Sequence, residues 1–220
     1  MKLGIGENLC KSFEFAKDGL VGHWVRWILL IIISAIPIVN FISQGYVIKI
    51  YRGGEVAPEF KGYIEMFIDG LKLTIINLVY VIIPLIIIQA GEFCGLEELS
   101  TTGVVLMVIG TILALVANLF AIIANVRFAK TESMKEAFNF NAILEKIQEI
   151  GWKHYILSYI VFIIVIGVIA GILSGLALML YISGDIFALI GLILGLVFLI
   201  LLPVFLIWQG KFYENLYSLA

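Results

Sequence analysis

Four strongly polar side chains, Asn77, Gln89, Asn118 and Asn125, interrupt the longest apolar runs of this 220-residue chain, with no Asp, Glu, Lys or Arg beside them at depth. Intramembrane ionisable residues mark proton relays and ion-coupled transport. Amides alone disfavour a proton-driven pump and leave open a route for an uncharged solute. Asn77 and Asn125 fall at similar depth on consecutive antiparallel runs, which predicts a structural amide pair. A second polar group, Asn40, Ser43 and Gln44, follows Pro37 inside another apolar run, and with Asn118 it makes a candidate intramembrane polar site. At the charged margin, His23, Arg26, Lys49, Arg52, Glu55, Asp69, Lys153 and His154 could converge as a cytoplasmic rim. An interfacial belt of anchoring charges is the preferred reading of that rim.

Catalytic constellations are missing. There is no HExxH, GxSxG or GxxxxGK[ST], and Cys10 and Cys94 have too few His neighbours to complete a tetrahedral zinc site. The chain therefore reads as non-enzymatic, without metal or cofactor. A net charge of -2, with bases and acids interleaved, leaves no nucleic-acid footprint.

These side chains need membrane helices to position them. At 62% hydrophobic and 14% charged residues, the chain exceeds the apolar share of a soluble domain, near 45–50%. Segments 73–91, 102–126, 154–181 and 187–210 each reach the ~18 apolar residues of a spanning helix. Three further segments, 7–22, 58–72 and 133–150, read as amphipathic interfacial helices because apolar residues recur at helical spacing. Leu9, Phe13, Ala16 and Leu20 mark the first stripe. Phe60, Tyr63, Ile64, Phe67, Ile68 and Leu71 mark the second, after Pro58. Phe140, Ile143, Leu144, Ile147 and Ile150 mark the third, opened by a Ser133/Glu136 capping box. Such stripes pack equally well on lipid or on protein. The expected fold is an all-α integral membrane protein, one membrane domain over 1–220.

All fourteen Lys and Arg avoid 91–102 and 181–186, which carry only acids. Basic loops stay cytoplasmic, so those two loops are expected outside and the C-terminus inside a cell membrane. Segment 27–48 then becomes ambiguous. A single Pro-kinked span would place Lys2, Lys11, Lys17 and Arg26 outside, whereas a re-entrant hairpin turning at Pro37 and Asn40 keeps every base on one side. Re-entry would make the chain three units of amphipathic helix plus helical hairpin, and Pro37, Gln44, Gly45 and Tyr51 resemble Pro203, Gln209, Gly210 and Tyr217 with one residue of slip. The first 23 residues lack the apolar core of a signal peptide. Cys10 and Cys94 fall on opposite faces, which precludes a disulfide. All four tryptophans flank the basic side. Gly167, Gly171 and Gly175, with Gly191 and Gly195 on the next run, form a small-residue packing signal, for the internal hairpin or for self-association.

Residues 54–84 resemble a prokaryotic, largely archaeal, family of multi-pass membrane proteins catalogued only as a domain of unknown function. Pro58-Glu59-Phe60, Phe67 through Lys72, Tyr80 and Pro84 carry the likeness. Gly45-Tyr46, Arg52, Ala137-Phe138, Phe140 and the closing stretch from Gly210 to Tyr217 extend it. Lys61, Gly62 and Tyr63 depart from the family's acid-rich pair followed by Trp. The resemblance implies a fold and an archaeal origin, and no activity. The expected function is engagement of membrane lipid or of a protein partner, with homo-oligomerisation open. A small permease or channel for an uncharged or amphiphilic solute is the rival.

Overall fold

The computed structural model describes residues 3–95, 100–183 and 185–219. Residues 96–99 and 184, within the two acidic loops, lie outside the described residues. The fold is 86% helical and the described residues contain no strand. The helices are α1 (Ile5–Leu20), α2 (Trp24–Ala35), α3 (Asn40–Tyr51), α4 (Tyr63–Gly95), α5 (Thr101–Thr131), α6 (Phe140–Ile150), α7 (Trp152–Ile182) and α8 (Asp185–Ser218), with a 3-10 turn at Glu136–Phe138 before α6.

Helices α4, α5, α7 and α8 are long and apolar enough to cross a membrane. Their 31 to 34 residues correspond to about 46–51 Å at 1.5 Å per residue, well over the ~30 Å hydrocarbon thickness. In α4 the surplus is at one end. In α4 the uncharged run from Lys72 to Glu92 measures about 30 Å, and the helix continues beyond Lys72 to Tyr63. The expected separate interfacial helix at 58–72 is therefore corrected. Residues 58–62 are not helical, and 63–72 is the first part of α4, because neither Gly nor Pro separates Leu71 from Leu73.

The core is concentrated at this charged end, called the base below. Tyr46, Ile48, Ile50, Met66, Ile76, Ile123, Ile143, Ile147, Tyr155 and Phe212 are fully buried there. Away from the base, α4 pairs mainly with α5 and α7 with α8, as two prongs. Only 17–22% of the most apolar window of each long helix is buried, and exposed Ile83, Ile86, Val108, Ile112, Ile172 and Ile193 cover the prongs. These surfaces suit lipid contact, since hydrocarbon replaces a protein core as the apolar environment.

The amphipathic segments supply the rest of the base. In α6, Ile143, Ile147 and Ile150 are fully buried as expected, but the helix begins at Phe140, where the Asn139 side chain accepts a hydrogen bond from Ala142 N–H at 3.3 Å. The expected Ser133 cap is not formed. Glu136 instead receives Arg127 Nε at 2.9 Å and Arg127 Nη2, and those hydrogen bonds hold its carboxyl below the usual range. In α1 the buried face is Asn8, Ser12, Phe15, Ala16, Gly19 and Leu20. It is rotated from the expected stripe because the amide of Asn8 donates to the Phe212 carbonyl at 3.1 Å and meets Asn215 at 2.9 Å. Phe13 is left exposed. In α4 the expected stripe points outward, with Tyr63, Ile64, Ile68 and Leu71 exposed, while Met66, Asp69, Gly70 and Leu73 pack inward.

Segment 27–48 is split between α2 and α3. A turn covers 36–39 around Pro37, and the hydroxyls of Ser34 and Ser43 lie 3.1 Å apart across it. Nine residues of continuous helix would separate them by about 14 Å, so the chain turns back on itself. Between α1 and α2 the axis bends by 101° at Gly22, whose φ of +84° is open to glycine without strain.

Candidate functional site

Where α3, α4, α5 and α8 meet, a cavity of about 230 Å³ is lined by the amides of Gln44, Asn77, Asn118, Asn125 and Gln209 and by Tyr51 and Tyr213. Leu73, Ala121, Ile122 and Gly210 complete much of its wall, and among the described residues no ionisable group other than the two phenols lines it. Each helix contributes its amide at a definite depth. Asn125 lies two residues from Arg127, and Asn118 nine residues from it, so the α5 amides extend about 14 Å inward from the charged layer. Asn118 and Gln209 are exposed at the mouth, between α5 and α8, whereas Asn125 and both tyrosines are buried.

The expected amide pair is present, with Asn125 Nδ2 donating to Asn77 Oδ1 at 2.8 Å. The other end of that amide, Asn125 Oδ1, is buried with no hydrogen-bond partner among the described residues. Tyr159 donates its hydroxyl to Asn118 Oδ1 at 3.2 Å. Burial pushes the Tyr51 hydroxyl well above its ordinary value, so it remains a neutral donor and acceptor.

Of the candidate polar site, the structure brings Gln44 and Asn118 to one cavity and leaves Asn40 and Ser43 out of it. Ser43 is fully buried and turned to Ser34, at the α2–α3 turn. Gln209 belongs to the cavity and was missed, because its position next to Lys211 reads as the end of a span. The similarity of Gln44-Gly45 to Gln209-Gly210 was the signal that could have placed it. Each Gln reaches the cavity, and each following Gly sits against a neighbouring helix, Gly45 on Met66 of α4 and Gly210 on Ile50 of α3.

The rim does not converge. His23 and Arg26 share one cleft with Glu59, Phe60 and Lys61, and Lys49 donates to the Lys61 carbonyl at 2.6 Å. Arg52 and Asp69 belong to another cluster, where Arg52 Nη2 donates to Asp69 Oδ2 at 2.8 Å and the guanidinium also lies near Glu65 and Glu132, at 3.6 and 3.5 Å. Lys72 approaches the second Asp69 oxygen at 3.5 Å. Glu55 and His154 line neither cleft. A separate centre was missed altogether. Glu214, only 5% exposed, receives Lys211 at 2.7 Å, Lys130 at 3.1 Å and the Ser218 hydroxyl at 2.7 Å. Gly53, at φ +96°, passes so close that a Cβ would sit 3.4 Å from its carboxylate.

Gly167, Gly171, Gly175 and Gly195 are not packing contacts, since a Cβ on any of them would meet nothing within 4 Å. Gly191 alone of that set lies against the facing helix, at Ala177 and Tyr181. The close helix contacts use Gly45 and Gly70 between α3 and α4, and Gly91 and Gly110 between α4 and α5.

Residues 28–178 match the family model of a protein of unknown function, DUF4013. The chain is a member of the DUF4013 family. No curated protein and no solved structure gives a significant match. The DUF4013 segment takes in Gln44, Asn77, Asn118 and Asn125, and so most of the cavity. Gln209, Tyr213 and Glu214 on α8, and all of α1, lie beyond the matched residues.

Proposed function

We propose that this protein is a non-enzymatic integral membrane protein of the cell membrane whose base engages membrane lipid. One observation carries the reading. A cleft of about 550 Å³ between α1, α2, α7 and α8 has wholly apolar walls, among them Phe13, Trp27, Ile169, Leu201, Val204 and Trp208, with Lys17 at its charged margin. Its size is that of small-ligand pockets, ~300–1,000 Å³. Its direction, from Lys17 toward Ile169 and Leu201, suits an acyl chain whose headgroup stays beside the lysine. The outward apolar stripe of α4 adds a second lipid contact. Replacing Leu201 and Val204 by tryptophan fills the cleft, and phospholipid retained per protein after detergent purification is expected to fall several-fold. Unchanged retention would remove the cleft as a lipid site.

Orientation belongs to the same proposal, with the basic base cytoplasmic, the two acidic loops outside and α2–α3 re-entering from the cytoplasmic side. Its support is the placement of the bases and the turn at Pro37. Both cysteines are exposed, which allows a direct test with a membrane-impermeant thiol reagent. Cys94 should react on intact cells and Cys10 only after permeabilisation. Labelling of both on intact cells would mean that 27–48 crosses the membrane once.

A second reading, a small permease or channel for an uncharged or amphiphilic solute, is favoured by the amide-lined cavity. Solute flux in proteoliposomes, without tightly held lipid, would decide for it.

A further inference from the structure

The cavity has an unmet need that the lipid reading does not use. Asn125 is 8% exposed, its amide is engaged at one end by Asn77, and its other end has no partner among the described residues. Buried polar groups are nearly always satisfied, and an exception calls for a specific occupant. The assignment of amide oxygen and nitrogen is interchangeable, but turning the amide over leaves one end open all the same. Among the described residues no hydrogen bond engages the side chain of Gln44, which also lines the space.

We propose that this cavity is a binding site for a small, uncharged molecule that both donates and accepts hydrogen bonds, of the polyol or urea class. Each of the five amides offers donors and an acceptor, and the two phenols offer one of each. An inorganic cation would use only the acceptors and an anion only the donors, leaving the remainder unpaired in a dry wall of Leu73, Ala121 and Ile122. The bases nearest in sequence, Arg52, Lys72, Arg127 and Lys211, stand at the charged edge and are not among the lining residues. They disfavour a cation further. A volume of about 230 Å³ holds roughly seven waters at ~30 Å³ each, enough for a molecule of about six heavy atoms with some water retained. The exposed mouth at Asn118 and Gln209 gives it a polar entrance in otherwise apolar surroundings.

This deepens the permease reading by naming a ligand class, and binding is measured apart from flux. Saturation-transfer NMR on the full chain in nanodiscs, with glycerol and with urea as probes, should show transfer to both and competition between them. Asn118→Leu and Gln209→Leu, at exposed positions where a leucine can be tolerated by the fold, should each reduce the transfer at least about fivefold, while Asn141→Leu on the exposed side of α6 leaves it intact. Monodisperse elution and a retained cooperative melting transition establish that the variants are folded, Asn118→Leu melting somewhat lower because the Tyr159 hydroxyl loses its acceptor. Absence of transfer to the wild-type chain, or equal transfer to all four proteins, would overturn the proposal. Binding without flux would sink the permease reading and leave the site standing.

Discussion

Gly45→Val is expected to destabilise the protein by about 3 kcal/mol, as the steepest loss among the glycine positions. At Gly45 a Cβ would lie 1.7 Å from the Met66 carbonyl oxygen, and at Gly70, on the facing helix, 1.8 Å from the Phe41 carbonyl oxygen. The obstructing atoms are backbone in both cases, so no rotamer change can relieve the clash. α3 and α4 must separate, and that separation would pull Tyr46, Ile48 and Met66 out of full burial. It would also lengthen the Arg52–Asp69 contact that closes the same helix pair. Overpacking alone typically costs ~1–3 kcal/mol, and the added loss of packing puts the estimate at the upper end. Gly171→Val supplies the contrast, since nothing lies within 4 Å of its Cβ, and its effect should stay within about 1 kcal/mol, in the range of helix propensity. Denaturation in mixed micelles, followed by tryptophan fluorescence, measures both. Equal sensitivity at positions 45 and 171 would show that the α3–α4 crossing is not what holds the base together.

The contrast between those glycines shows what the sequence could express. Gly167, Gly171 and Gly175 have the regular spacing of a packing face, yet their face is open, whereas Gly45 and Gly70 stand in no repeat and meet only because α3 crosses α4 at that point. Spacing describes one helix, and a crossing belongs to two. The four spans and the Asn77–Asn125 pair were legible for the converse reason. Run length sets a span, and two amides at equal depth on consecutive antiparallel runs have few other places to go. The apolar stripe of 58–72 was visible but its direction was not. In water an apolar stripe turns inward, while beside lipid both directions are apolar, and α4 turns inward the side with Asp69 and Gly70. The cavity was legible in part, through Gln44 and Asn118. Gln209 was concealed by its neighbour Lys211, and Glu214 by lying in what reads as a short polar tail after the last span. Its burial depends on α1 and the Gly53–Gly54 turn folding over that tail, long-range contacts that leave no local pattern.

Glu214→Leu should be the most damaging single change at a charged residue, because it removes a buried carboxylate that pairs two lysines. The Glu214 side chain is 6% exposed, and Lys211 and Lys130 are 14% and 28% exposed. Lys211 would keep a hydrogen bond to the Gly54 carbonyl at 2.9 Å, and Lys130 one to the Ser218 hydroxyl at 3.0 Å. Neither contact carries a compensating charge. Removing one partner from a buried pair costs ~3–5 kcal/mol, and the partial exposure of Lys130 argues for the lower end, about 3 kcal/mol. The loss should arise from stranded charge more than from the pair's own attraction, and this can be separated experimentally. Replacing Glu214 by Leu together with Lys130 and Lys211 by Met removes the whole network, and well-packed apolar substitutes for buried ion clusters are often neutral or better. The triple variant should therefore recover most of the loss in the same micellar unfolding assay. A triple variant as unstable as Glu214→Leu would instead mean that the carboxylate acts as an irreplaceable link joining α5, α8 and the Gly53–Gly54 turn, so that the base owes its assembly to these ionic contacts and not to the apolar residues packed around them.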